Sequence, residues 1–161
     1  MILFTIIAKI KRMNPKISHL QTKAGPGGVG ARSLLASVSI DLDNEWAYLK
    51  TQGIGDWEGF PSYFDTVVPR ILEELKAVGL DITVFVVGKD AERSENADAL
   101  RQIADAGHEI ANHSFMHEPW LHLYSRAQLH EEIGGAENAI AAVAGKTTRG
   151  FRGPGFSTSA L

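Results

Sequence analysis

Two carboxylates one residue apart, two histidines four apart, and an arginine ahead of a rigid turn are the groups in this sequence best suited to chemistry. Asp41 and Asp43 close the run SVSIDLD. Side chains alternate along an extended segment, so the two acids can point to the same side. Carboxylates placed together repel, and both stay charged only with a cation or donors between them. One could then ligate a metal while the other takes a proton; the plainer alternative is a pair of loop acids capping nearby amides. His113 and His117 lie in HSFMH. At this spacing two imidazoles come onto one face of a helical turn, close enough to share a metal. Neutral imidazole is the commonest nitrogen ligand of zinc, cobalt and nickel, although surface pairs at this spacing also arise by chance. Arg152 opens RGPGF and places a permanent cation where it could orient Asp41 through a bidentate pair; otherwise it is a surface arginine before a turn. Together these groups supply Asp, His and His for a three-ligand site with open positions, a spare carboxylate as base and an arginine to aim it. Three protein ligands plus an open position is the pattern of catalytic rather than structural zinc.

These groups must be held by an alternating α/β framework. Leu34 to Leu42 (LLASVSIDL), Ile82 to Val87 (ITVFVV), His108 to Asn112 (HEIAN) and a short Arg149 to Arg152 read as strands. Between them, a helix opens at Pro61-Ser62, carries Tyr63, Val67, Ile71, Leu72 and Leu75 at helical spacing, and stops at Gly79. A second runs from Ala97 to Ala106, stopped by Gly107. A third is capped by Ser125, with Gln128 as its capping-box partner, and runs to about Val143. Asn44 to Phe60, with three glycines and no clear period, is expected to be a long loop. The β-α-β-α-β-α-β order predicts a parallel sheet or barrel, because parallel strands need crossover connections. All three polar clusters then fall just after strand C-termini, where α/β folds place their sites.

The 161 residues suffice for one domain with a core, and 44% apolar and 22% charged residues is ordinary globular usage. A net charge of -3, with no Lys/Arg-rich run, argues against a nucleic-acid partner. With no cysteine, thiolate metal sites and disulfides are excluded, leaving His and carboxylate as the only ligands. The apolar Met1 to Ala8 precedes its positive charges and is too short for a membrane span, so neither a signal peptide nor a spanning segment is expected, and the location is read as cytoplasmic. Ala24 to Gly30 reads as a glycine-rich linker, dividing an extension (residues 1–32) from a domain (residues 33–161).

The ordered set Asp-x-Asp, HSxxH and RGPGF, with TVFVVG at 83–88 and GHEIANH at 107–113, resembles the polysaccharide deacetylase homology domain, carbohydrate esterase family 4, over about Ser37 to Ser157. The resemblance implies a distorted, incomplete (β/α) barrel, of which this chain is expected to hold the N-terminal part, ending after about the fourth strand. It implies that Asp41 is the general base, that Asp43, His113 and His117 bind a divalent metal (zinc, with cobalt or nickel as alternatives), and that Arg152 holds Asp41. It further implies a substrate groove walled in part by Pro154 and Phe156, to which Trp120 is added as a stacking residue. The implied reaction is removal of acetyl groups from N-acetylated or O-acetylated glycans, by attack of water activated at the metal on the acetyl carbonyl.

Two features depart from the family pattern. Leu42 separates the acids, where many members have them adjacent, and this leaves open a related amidase acting on a small or cyclic amide, as in the allantoin-hydrolysing branch. Glu45 is then a substitute ligand ranked below Asp43. The family's later histidine, the general acid, has no match among His19, His108, His122 and His130, and is expected beyond residue 161. The fragment alone is therefore expected to be inactive and marginally stable, and a binding-only remnant remains a third alternative.

Overall fold

A computed structural model describes residues 37–156. The extension, the glycine-rich linker, the boundary near Arg32, Leu34 to Ala36 and His19 lie outside the described residues, as do Ser157 to Leu161 and the side chain of Phe156.

Three strands form a parallel sheet: β1 (Ser39–Leu42), β2 (Thr83–Val86) and β3 (Glu109–Asn112), in the order β1-β2-β3. Five α-helices accompany them: α1 (Glu45–Thr51), α2 (Phe64–Val78), α3 (Gly88–Glu92), α4 (Ala97–Asp105) and α5 (Arg126–Ala144). The sheet is open and mixed with helices in the way the sequence predicts. Period-two alternation divides its faces. Ile40, Leu42, Val84 and Val86 pack into a core with Phe64 and Val68 of α2, Leu100 and Ile103 of α4 and Ile140 of α5. The opposite face carries the rung Asp41, Phe85 and Ala111. Burying Ile40, Val84 and Val86 thus turns Asp41 to the opposite face, beside Phe85 and Ala111.

The helix ends follow their sequence signals. Gly79 caps α2 in the left-handed region (φ 65), and Leu80 N–H returns to the Leu75 carbonyl at 3.0 Å. Ser125 and Gln128 close the expected capping box on α5.

Three expectations need correction. The Asn44 to Phe60 loop contains α1 and a 3-10 turn at Trp57–Gly59. Burial of Trp46 and Ala47 drives this helix, which is too short for its period to show in sequence. The HSFMH segment is not a helical turn. Ser114 (φ 64) and His117 (φ 54) both take left-handed backbone conformations instead. The fourth strand reduces to one parallel bridge, Asn112 to Phe151, made by Asn112 N–H to Gly150 O (2.9 Å) and Arg152 N–H to Asn112 O (3.0 Å). Gly150 and Gly153 on either side lower its strand propensity. Among the described residues no helix is long and apolar enough to cross a membrane.

Candidate metal centre

Asp43 follows β1, and His113 follows β3. The turn that carries His117 brings it back over both. His113 Nε2 lies 3.6 Å from Asp43 Oδ1 and 3.9 Å from Asp41 Oδ2, and His117 Nε2 lies 3.4 Å from Asp43 Oδ2. Candidate ligand atoms of Asp43, His113 and His117 all lie within 4.8 Å of one another, and all three residues are buried.

The donor set fits a divalent cation. Asp43 Oδ1 and His117 Nδ1 are buried without hydrogen-bond partners, which is unusual for buried polar atoms. His113 Nδ1 sits 2.7 Å from the Arg152 carbonyl oxygen. A carbonyl can only accept, so Nδ1 carries the proton and the Nε2 lone pair faces Asp43 and Asp41. This backbone bond sets the tautomer of a ligating histidine.

The electrostatics favour the metal-ready forms. Burial pushes the Asp43 carboxyl up, but the His117 hydrogen bond, the charges of His117 and His113 and the Tyr48 hydroxyl outweigh it and hold it below its ordinary value. Burial lowers His113 against the pull of the two aspartates, keeping the imidazole neutral at pH 7. Both ligands therefore need not shed a proton to bind a cation near neutrality.

Arg152 does two things at once. Its guanidinium hydrogen-bonds Asp41 Oδ1 and donates to Ser39 Oγ (2.7 Å), lying 3.9 Å from the Phe85 ring centroid, while its carbonyl holds His113. The pairing with Asp41 is present, but the fork expected to grip Asp41 with both arms places its Nη2 on Ser39, and the bond to His113 is additional.

Other candidates fall elsewhere. Glu45 is exposed at the start of α1, outside the Asp43, His113 and His117 cluster. Trp57 packs on Trp46, with ring centroids 5.4 Å apart. Trp120 is 40% exposed. Pro154 is buried in the turn after Arg152. His108 is structural, its Nδ1 accepting Ile82 N–H at 3.4 Å, and His122 and His130 are exposed.

Several contributors carry no motif. Tyr48 donates to Asp43 Oδ2 at 2.9 Å, and Tyr63 OH donates to the Asp43 carbonyl. Asp90, fully buried in α3, accepts from Asn44 N–H (3.3 Å), Asn44 Nδ2 (2.8 Å) and Trp46 Nε1 (2.7 Å), bracing the residue after Asp43. The only sequence signal for Tyr48 was its place five residues beyond Asp43.

Fold and site together define a parallel α/β protein with a two-histidine, one-carboxylate centre at its strand C-termini. The sequence pattern described as Polysaccharide deacetylase matches residues 57–160, and the chain belongs to that family. The matched range covers both histidines and Arg152 and begins after the two aspartates. The chain is 31% identical over 86 residues to a peptidoglycan-N-acetylglucosamine deacetylase of Bacillus cereus, covering 53% of this chain and 30% of that protein. It resembles the solved structure of a polysaccharide deacetylase from Mycobacterium smegmatis (28% identity, TM-score 0.64, 76% of this chain and 44% of the other). It also resembles a CE4-family pseudoenzyme from Bacillus anthracis (29% identity, TM-score 0.53, 57% and 32%). The chain spans less than half the length of each of these proteins.

Proposed function

We propose that this site serves metal-dependent hydrolysis of acetyl groups on N-acetylated or O-acetylated carbohydrate. The observation that carries this reading is the convergence of Asp43, His113 and His117 beside an Asp41 already braced by Arg152. Asp43, His113 and His117 would hold the cation, with zinc favoured by the nitrogen-rich donor set. A bound divalent cation supplies Lewis acidity, acidifying a water and polarising the acetyl carbonyl. Asp41 takes the proton from the attacking water, and the Arg152 guanidinium keeps its carboxylate aimed. The Arg152 carbonyl keeps the His113 proton on Nδ1, away from the ligand side. Family membership and the Bacillus cereus relative support an acetylated glycan as substrate.

The first test titrates zinc into the metal-free 161-residue chain by calorimetry. Wild type is expected to bind one equivalent, and His113→Ala to weaken binding by at least ~100-fold, more than loss of an outer contact does. A wild-type chain that takes up no zinc overturns the proposal. Acetate release from a chitooligosaccharide, by a longer form that carries the general-acid histidine expected beyond residue 161, is the second test. Likeness to a pseudoenzyme favours one rival, a binding-only protein, which would hold zinc and oligosaccharide and release no acetate.

A further inference from the structure

The two histidines are separated by a backbone excursion that does not hold itself. Ser114 and His117 both sit at positive φ (64 and 54), a region that non-glycine residues enter only at a cost in free energy. Such conformations persist only when the surroundings over-determine them. Asn112 Oδ1 accepts Ser114 N–H at 2.9 Å, and Ser114 Oγ accepts His117 N–H at 3.1 Å. From α3, the Gly88 and Lys89 amides donate to the Ser114 and Phe115 carbonyls at 2.9 and 3.0 Å. That leaves the amides of Phe115 and Met116, at the middle of the turn. Both point at one atom, Oε2 of Glu132 on α5, at 3.0 Å each.

Glu132 is a buried carboxylate in the second turn of α5, on an otherwise ordinary helix. A buried acid needs partners, and its partners are the two amides midway between the ligands. The Phe115 ring wedges between α3 and α5, against Gly88 and Gly135, where a Cβ on either glycine would stand 2.6 or 3.3 Å from the ring. The helix carrying Glu132 is thus seated against the turn it grips.

We propose that Glu132 is a positioning residue for the metal centre: its carboxylate, accepting the Phe115 and Met116 amides together, sets the turn that brings His117 back to His113 and Asp43. This rests on the reading of those three residues as metal ligands. Glu132 touches neither metal nor substrate. It acts through the turn, as outer partners of metal ligands do, where removal typically weakens binding about 10–100-fold.

The test uses zinc alone and the metal-free full chain, in wild type, Glu132→Gln and Glu132→Met. One oxygen accepts both amides, so glutamine can reproduce the contact without the charge, whereas methionine keeps the buried stem and loses the acceptor. Zinc affinity is expected to stay within roughly 3-fold of wild type in E132Q and to fall about 10–100-fold in E132M. An E132M chain that folds and binds zinc as wild type does overturns the proposal, as does an E132Q chain as weak as E132M. If E132M does not fold, amide exchange on the metal-free wild-type chain decides: protected Phe115 and Met116 amides uphold the grip, and fast exchange at both overturns it. Failure of wild type itself to bind zinc would instead strike the metal-centre reading.

Discussion

Replacing Asp90 tests whether a buried acid outside every motif braces the site. In Asp90→Ala, Trp46 Nε1 and Asn44 N–H lose their only acceptors among the described residues, while Asn44 Nδ2 retains Ser62 Oγ at 3.0 Å. Two buried donors left unpaired cost roughly 1–3 kcal/mol each. Relief from removing a desolvated carboxylate offsets part of this, so a net loss near ~2 kcal/mol is expected. For a domain of this size that lowers the Tm by roughly 6–10 °C. Asp90→Asn should behave differently. Oδ1 takes the two shorter bonds, so an amide oxygen in its place keeps both and gives up the longer contact to Asn44 N–H.

The pH dependence has a definite sign. Burial raises the Asp90 carboxyl above its ordinary value, outweighing the bonds from the Asn44 and Trp46 side chains, the Asn44 backbone bond and the nearby Arg93 charge. The folded chain then binds the proton more tightly than the unfolded chain. The stability this contributes is fully present below the unfolded value of about 3.9 and is lost as pH rises through the folded value. Asparagine cannot ionise, so the Tm of Asp90→Asn relative to wild type should increase as pH is raised from about 4 to about 8. Thermal melts followed by circular dichroism supply the readout. An alanine variant melting with wild type, or a Tm of Asp90→Asn that falls relative to wild type as pH rises, would refute the reasoning.

Two further predictions concern the site and its frame. In a longer form carrying the general-acid histidine expected beyond residue 161, Arg152→Lys should lower the rate of acetate release by about 10–100-fold, since one ammonium cannot reproduce the fork that reaches both Asp41 and Ser39. Zinc affinity in the same variant should stay within roughly 3-fold of wild type, because the backbone carbonyl still holds His113; a large loss of zinc binding would contradict that division of labour. Gly88→Ala places a Cβ 2.6 Å from the Ala136 backbone and should destabilise the fold by about 1–3 kcal/mol, whereas Gly134→Ala, with nothing within 4 Å, should stabilise α5 by up to ~1 kcal/mol in chemical denaturation.

The groups of the candidate site were legible because their types are scarce and their neighbours are apolar strands. Asp41, Asp43, His113, His117 and Arg152 come together as their motifs imply. Strand periodicity and the stops at Gly79 and Gly107 were equally plain, as these are local signals. What sequence hid was the means of convergence. The i, i+4 spacing of the histidines suggested a helix, yet left-handed residues held by α3 and α5 do the work. Asp90 and Glu132 look in sequence like any surface helix acid, since burial of a charge depends on which amides the fold brings to it. α1 was missed because its two buried residues, Trp46 and Ala47, are adjacent and show no period.

Arg152 also ties the centre to time. Asp41 and its partner are 111 positions apart, so at synthesis rates of about 5–20 residues per second the aspartate waits roughly 6–22 s for its guanidinium. During that interval His113 too lacks the carbonyl that fixes its tautomer. A nascent chain can pair its first three strands while its metal-binding face is still unfinished. On the function proposed above, docking of a single late residue completes base and ligand together and reserves full affinity for metal to chains that have already folded.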